Sequence, residues 1–224
     1  MDAPRGAASP SAGTGRRASR HRAPRGSISR SHIVEAALRS LRTEGFEQLT
    51  IRSLAAELGV APMSLYRYIR DKDDLMDEVV EELLRQSQTV PPESGPWHSR
   101  LAAAADGLRR LLVEEPAALY VYLRHPVVSP SAIRRMEMML SVLSEAGFDT
   151  MSSKAAYAAI QTYTIGFAAL EASRDGWTPE RATDRTTAEL AAFTTPTQFA
   201  SGLRFLLSGI QHEATAAAAP HTTG

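Results

Sequence analysis

Within one short stretch, Met63, Ser64, Tyr66, Arg67 and Tyr68 bring together groups that ordinary surface helices seldom combine. An arginine fork donates two parallel hydrogen bonds to one acceptor edge, a serine hydroxyl and two phenols donate or accept, and a methionine offers an apolar tip. That mixture suits the edges of base pairs and the phosphates of a duplex: hydrogen bonds to base edges, contact with a thymine methyl, and hydrogen bonds to the backbone. Tyr66 and Tyr68 carry a second reading as half-buried packing residues, since aromatic positions on a helix more often belong to a core.

Such a face needs a rod to carry it and a second rod to hold it at an angle. Thr50 is a capping residue for a helix whose apolar stripe is Ile51, Leu54, Ala55 and Leu58, and Gly59 stands where a left-handed C-terminal turn ends it. Val60 plugs the turn, and Pro62 suits the first turn of a new helix, where its missing N–H costs no intrahelical bond. The second helix therefore begins at about Ala61, with Leu65 and Ile69 one turn apart and facing inward. Pro62, Met63, Ser64, Tyr66, Arg67 and Tyr68 are left mostly outward, and the pair reads as a helix-turn-helix.

A helix over Ser31 to Glu44 precedes this pair after the turn Gly45-Phe46, and another over Asp71 to Arg85 follows it. With Ala36-Ala37, Gly45-Phe46, Thr50-Ile51-Arg52, Leu54-Ala55, Leu58-Gly59-Val60, Leu65-Tyr66, Tyr68 and Lys72 to Leu75 in these places, the segment resembles the DNA-binding domain of the tetracycline-repressor (TetR) family. The resemblance implies that Thr50, Arg52, Tyr66 and Lys72 hold phosphates while Pro62, Met63, Ser64, Arg67 and Tyr68 approach the bases. Pro62 and Met63 donate no side-chain hydrogen bond, so part of the readout would be apolar or by DNA shape.

The 224 residues, 43% hydrophobic, suffice for this domain and a larger helical one, which makes the expected fold class all-α. The absence of cysteine excludes disulfides, thiolate metal sites and cysteine nucleophiles. No apolar secretion segment stands at the N-terminus, and the expected location is the cytoplasm, bacterial by the resemblance. Net charge is +0 yet uneven: Arg5, Arg16, Arg17, Arg20, Arg22, Arg25 and Arg30 face Asp2 alone in residues 1 to 30, giving +6 there and −6 elsewhere. The expected organisation is an unfolded Arg-rich tail over 1–26, the DNA-binding domain over 27–87, a helical domain over 88–213 and an unfolded end over 214–224. The tail has two readings, a phosphate or minor-groove arm and a solubilising extension.

Beyond the break at Val90 to Pro96, apolar stripes predict helices over Trp97 to Leu112, Ala117 to Arg124, Ser131 to Ala146, Ser152 to Ser173 and around Phe199 to Ile210. The third of these places Ile133, Met136, Met139, Leu140 and Leu143 inward and ends at Gly147. Ala155 to Ala172 is the most apolar long run, but Gln161, Thr162, Thr164 and Glu171 interrupt it and favour a buried helix over a membrane span. Its small residues permit close helix approach, so this helix and the last one either pair with a second copy of the chain in a four-helix bundle or pack within one chain.

Gly166-Phe167 with Leu170-Glu171 also resembles the C-terminal domain of the tetracycline-repressor subgroup. That resemblance implies a small-molecule effector cavity with Tyr120, Tyr122, His125, Tyr157, Gln161 and Tyr163 as polar lining. Met136, Met138 and Met139 fit such a lining or a gap-filling core. No cofactor is implied, and the subgroup's metal chemistry is not carried over, because no histidine and carboxylate stand at a ligand spacing. The implied function is a repressor that binds a palindromic duplex operator as a homodimer and is released by an effector. Two other classes remain, a sequence-neutral DNA coat favoured by the arginine tail, and an enzyme, for which no HExxH, phosphate loop or serine elbow appears.

Overall fold

Helix starts are written into the chain by short polar side chains. Ser29, Thr50, Asp71, Ser129 and Asp149 each accept a hydrogen bond from a backbone N–H of the helix they open, meeting donors that would otherwise be orphaned. The computed structural model describes residues 28–124, 126–173 and 192–218. Among the described residues the architecture is all-α: α1 (Arg30–Glu44), α2 (Ile51–Glu57), α3 (Pro62–Leu65), α4 (Lys72–Gln86), α5 (Trp97–Glu114), α6 (Pro116–Arg124), α7 (Pro130–Glu145), α8 (Thr150–Ala172) and α9 (Pro196–Ala218). The Arg-rich tail over 1–26 and His125 lie outside the described residues.

Two apolar clusters organise these helices. The first runs without a break from the N-terminal head (Ile33, Leu49, Leu54, Leu65, Ile69, Leu75, Val79) into the body (Leu108, Leu112, Ala118, Val121, Ala168). Head and body therefore share one core. The second joins α5, α7, α8 and α9 through Leu101, Met139, Leu143, Ile160, Phe167, Phe199 and Leu203. Between α5, α8 and α9, buried Arg109 donates to Glu171 at 2.8 and 2.9 Å and to Asp106 at 3.0 and 3.1 Å, beneath the Phe199 ring. Burial alone would lower the Arg109 pKa; the bonds to Glu171 and Asp106 outweigh it and raise it, so the cation stays charged inside the bundle.

Close approach at one point demands glycine. At Gly107 on α5 a Cβ would collide with the Gln88 carbonyl, so the segment after α4 rests directly on the α5 backbone.

Two expectations change. On α7 the buried face is Arg135, Met139, Val142 and Leu143, while Ile133 is 39% exposed. The face is rotated because Arg135 turns inward to the Thr89 carbonyl and Gln161 and is buried at 1% exposure. The last helix also continues to Ala218, past the expected boundary at 213, over an alanine-rich stretch that loses little entropy on becoming helical. No helix among the described residues is long and apolar enough to cross a membrane, and α8 is instead a packed element of the body.

Candidate nucleic-acid interface and ligand cavity

The helix-turn-helix is set by local bonds. Thr50 and Ser53 form a reciprocal cap, each side chain accepting from the other's backbone N–H at 2.9 Å. At the far end of α2, Gly59 at φ +68° lets its N–H reach the Ala56 carbonyl at 3.2 Å and the Val60 N–H reach the Ala55 carbonyl at 2.9 Å, a Schellman turn that stops the helix. The regular part of the second helix is short, Pro62–Leu65. Its rod is prolonged by bonds from the Tyr68 and Ile69 N–H groups to the Leu65 carbonyl at 2.8 and 3.1 Å. Leu65 and Ile69 are fully buried, which fixes the outward set.

That set is presented as expected for most members. Met63 is 74% and Tyr66 48% exposed, a large apolar expanse on one turn that none of the described residues covers. Pro62 and Arg67 are exposed, Ser64 is half-buried, and Tyr68 is half-buried and packed against the core, as its packing alternative expects. Thr50 and Arg52 are exposed at the start of α2. The neighbouring acids are already engaged: Glu57 with Arg39 at 3.1 Å, and Asp74 with Arg70 at 3.0 Å and Arg30 at 3.5 Å. Among the described residues Arg52 and Arg67 form no ion pair, which leaves two free guanidinium groups beside the reading face. Lys72 is anchored: its Nζ donates to the Phe46 carbonyl at 3.1 Å and sits 3.9 Å from the Phe46 ring centroid.

In the body, α6, α7 and α8 enclose a cavity of about 620 Å³. Tyr122, Met136, Tyr157 and Gln161 line it together with Val127, Ala132, Ile165 and Arg135. Arg135 is the residue that the sequence reading missed. Its Nε donates to the Thr89 carbonyl at 2.9 Å and its Nη1 to Gln161 Oε1 at 2.7 Å, while Nη2 is buried without a hydrogen bond. Burial pushes the Arg135 pKa down, and it pushes the Tyr122 phenol up to about 12 and the Tyr157 phenol up as well. A larger groove of about 840 Å³ lies between α5 and α9, beside Trp97, Phe199 and Leu203, but it contains no buried polar group lacking a partner.

Three nominated lining residues stand elsewhere. Tyr120 faces the head, with its ring centroid 4.0 Å from that of Phe46 and its hydroxyl accepting from Arg124 at 2.7 Å. Tyr163 stacks on Phe199 and donates to its carbonyl at 3.0 Å, in a niche that Gly202 leaves open. Met139 is fully buried in the second core. Each belongs to an apolar stripe whose direction a one-dimensional pattern leaves undetermined by about half a turn.

The cavity is wired to the head. Glu81 of α4 accepts from the Ser131 N–H at 2.9 Å and from its hydroxyl at 2.7 Å, so α4 caps the start of α7. The Thr89 carbonyl that receives Arg135 belongs to the segment leaving α4. On the other flank Arg42 of α1 pairs with Glu115 at 2.6 Å, just before α6.

Fold and sites together define a helix-turn-helix head on an all-helical body that holds a cavity. Residues 33–79 match the family described as bacterial regulatory proteins, tetR family, and residues 91–214 match the tetracyclin repressor-like C-terminal domain. The chain belongs to the TetR family. Over 157 residues it is 35% identical to the HTH-type transcriptional repressor DrrR1 of Streptomyces coeruleorubidus, covering 69% of this chain and 57% of that one. Over 153 residues it is 31% identical to the class A tetracycline repressor from transposon 1721 of Escherichia coli, covering 66% and 69%. The chain thus spans less than two thirds of the length of the first of these relatives. Among solved structures, a possible TetR family regulator from Streptomyces coelicolor A3(2) superposes with a TM-score of 0.71 at 27% identity, over 83% of this chain and all of that one. The Streptomyces coelicolor protein ActR in complex with actinorhodin gives 0.72 at 23% identity over 86% and 99%, a likeness of fold.

Proposed function

We propose that the chain is a ligand-responsive transcriptional repressor of the bacterial cytoplasm, which binds a palindromic duplex operator as a homodimer and leaves it when a small molecule enters the α6–α8 cavity. The observation that carries this reading is the pairing of an uncovered reading face with a cavity whose walls hydrogen-bond to α4 and to the segment that follows it. Relatives named as repressors support the direction of control.

One recognition helix of this length reads too few base pairs for a selective site, which favours two copies about one DNA turn apart, roughly 34 to 36 Å. The surface for pairing would be the outer faces of α8 and α9. There Met151, Leu170 and Phe205 are 73%, 55% and 71% exposed, and Gly166 and Gly209 have open space above them. An effector that prefers a different spacing of the two heads weakens DNA binding by that preference, and several kcal/mol are needed to move the complex from mostly bound to mostly free. Arg52, Arg67, Tyr66 and Lys72 would meet the duplex first, with the Arg-rich tail adding phosphate contacts.

Selection of bound sequences from a random duplex pool tests the proposal. A palindromic consensus preferred over random DNA by roughly 10³ or more supports it. Uniform binding across the pool would establish the sequence-neutral coat that the seven N-terminal arginines favour.

A further inference from the structure

Among the described residues the α6–α8 cavity has a buried cation in its wall and no carboxylate to balance it. Arg135 is 1% exposed, its Nη2 makes no hydrogen bond, and no aspartate or glutamate is among the cavity's lining residues. The other charged side chain of the wall is Arg124, again positive. A buried guanidinium without a carboxylate is costly, and proteins place such groups where a partner completes them. Nε points to a carbonyl and Nη1 to an amide oxygen, the Tyr157 hydroxyl stands close to the group, and Nη2, which has no hydrogen bond, remains for an incoming acceptor. The hydroxyls of Tyr122 and Tyr157 stand in the same wall as neutral donors. Around this polar corner Val127, Ala132, Met136 and Ile165 give an apolar surface.

We infer that the effector site is built for a small organic acid, a mostly apolar frame carrying one carboxylate or comparably acidic oxygen that pairs with Arg135 Nη2 and takes hydrogen bonds from Tyr122 and Tyr157. The inference rests on the proposed regulator reading for its biological use, and on the cavity alone for its chemistry. Entry of the anion neutralises the buried cation. It also sets a charged acceptor on Nη2 beside the bonds to Gln161 and the Thr89 carbonyl, and the latter bond is the one that ties α7 to the segment after α4. A neutral ligand of the same shape leaves that charge as it was and is bound less tightly.

The test compares acids with their primary amides, benzoate with benzamide and 2-naphthoate with 2-naphthamide, by calorimetry on the full chain without DNA. The expected result is at least a tenfold preference for each acid, abolished in Arg135→Met with amide binding retained. Gln161→Glu supplies a second variant that keeps the cavity filled: its carboxylate stands 2.7 Å from Nη1, so it should raise the melting temperature and erase the acid preference together. Equal affinities in the natural chain, acids that fail to bind at millimolar concentration, or an acid preference that survives Arg135→Met or Gln161→Glu each overturn the inference. Failure of the regulator reading is seen separately: acids that bind with the expected preference and leave DNA affinity unchanged would sink that reading alone, whereas DNA release by the amides as readily as by the acids would sink this one alone.

Discussion

Removing the Glu81 side chain isolates the joint between the DNA-binding head and the cavity. Glu81 accepts two hydrogen bonds from Ser131, at 2.9 Å from the N–H and 2.7 Å from the hydroxyl, across the α4–α7 contact. Bonds to a charged acceptor contribute about 1.5 to 3 kcal/mol each when shielded, and the half-buried position reduces that, so Glu81→Ala should cost about 2 kcal/mol. For a domain of this size the loss is about 4 to 8 °C in melting temperature. Burial alone would raise the Glu81 pKa; the hydrogen bonds from Ser129 and Ser131 outweigh it and hold the carboxyl below its ordinary value. A group depressed in the folded state stabilises fully above its unfolded pKa, and this contribution is lost as pH falls through the folded one. The gap between the natural chain and Glu81→Ala should therefore be constant above about pH 6 and narrow as the medium becomes acid, when the natural carboxyl is protonated too. Urea unfolding of both proteins across that range measures it. A gap below about 0.5 kcal/mol at neutral pH, or one that does not narrow in acid, refutes the reasoning, since surface substitutions away from such bonds fall within that margin.

Other perturbations separate the remaining claims. Arg67→Ala should cost about 1 to 3 kcal/mol of operator affinity and relax one base position, while Lys72→Ala should weaken all sequences alike and reduce the salt slope by about one; a binding titration at several salt concentrations distinguishes them. Lys72→Ala should also lower stability, because it removes the bond to the Phe46 carbonyl and the contact with its ring. Gly107→Ala should destabilise by about 3 kcal/mol in urea, since its Cβ meets backbone at Gln88 rather than a movable side-chain tip. Phe205→Glu, on the outer face of α9, should shift the chain to monomer in sedimentation and weaken DNA binding with it, without a comparable loss of monomer stability.

The head was legible in the sequence because each of its parts is specified locally. Thr50, Gly59 and Pro62 mark a start, a stop and a new start within a few residues, and each mark is a backbone requirement that few other residues meet as well. The helices of the body were legible from their apolar stripes, while their starts lie one or two residues before Ser131 and Ser152, where Ser129 and Asp149 cap α7 and α8. Which way those helices face was less so. Tyr120, Tyr122, Tyr157 and Tyr163 look alike in one dimension, yet two point into the cavity, one to Phe46 and one to Phe199. Arg135 was invisible because a charged residue between Arg134 and Met136 reads as surface unless its tertiary partners, Thr89 and Gln161, are known to lie opposite.

The shared core constrains how a ligand signal would travel in the proposed regulator. A head joined to its body by a flexible linker could move without disturbing the cavity, but here Val79, Val80 and Leu83 of α4 lie in the same apolar cluster as Ala118 and Val121 of α6. Close-packed elements shift as bodies rather than bending, so a change in the cavity wall moves α4 as a unit. α6 is the lever with two ends in use: Tyr122 lines the cavity, and Tyr120, two residues earlier, presses on Phe46. Phe46 in turn carries the Lys72 ammonium on its ring and the Lys72 hydrogen bond on its carbonyl. A ligand that rotates α6 thus acts on the residue that positions Lys72, the proposed phosphate contact, while one that draws Arg135 from Thr89 acts on the far end of α4. Both displacements bear on α4, the helix that leads out of the recognition motif.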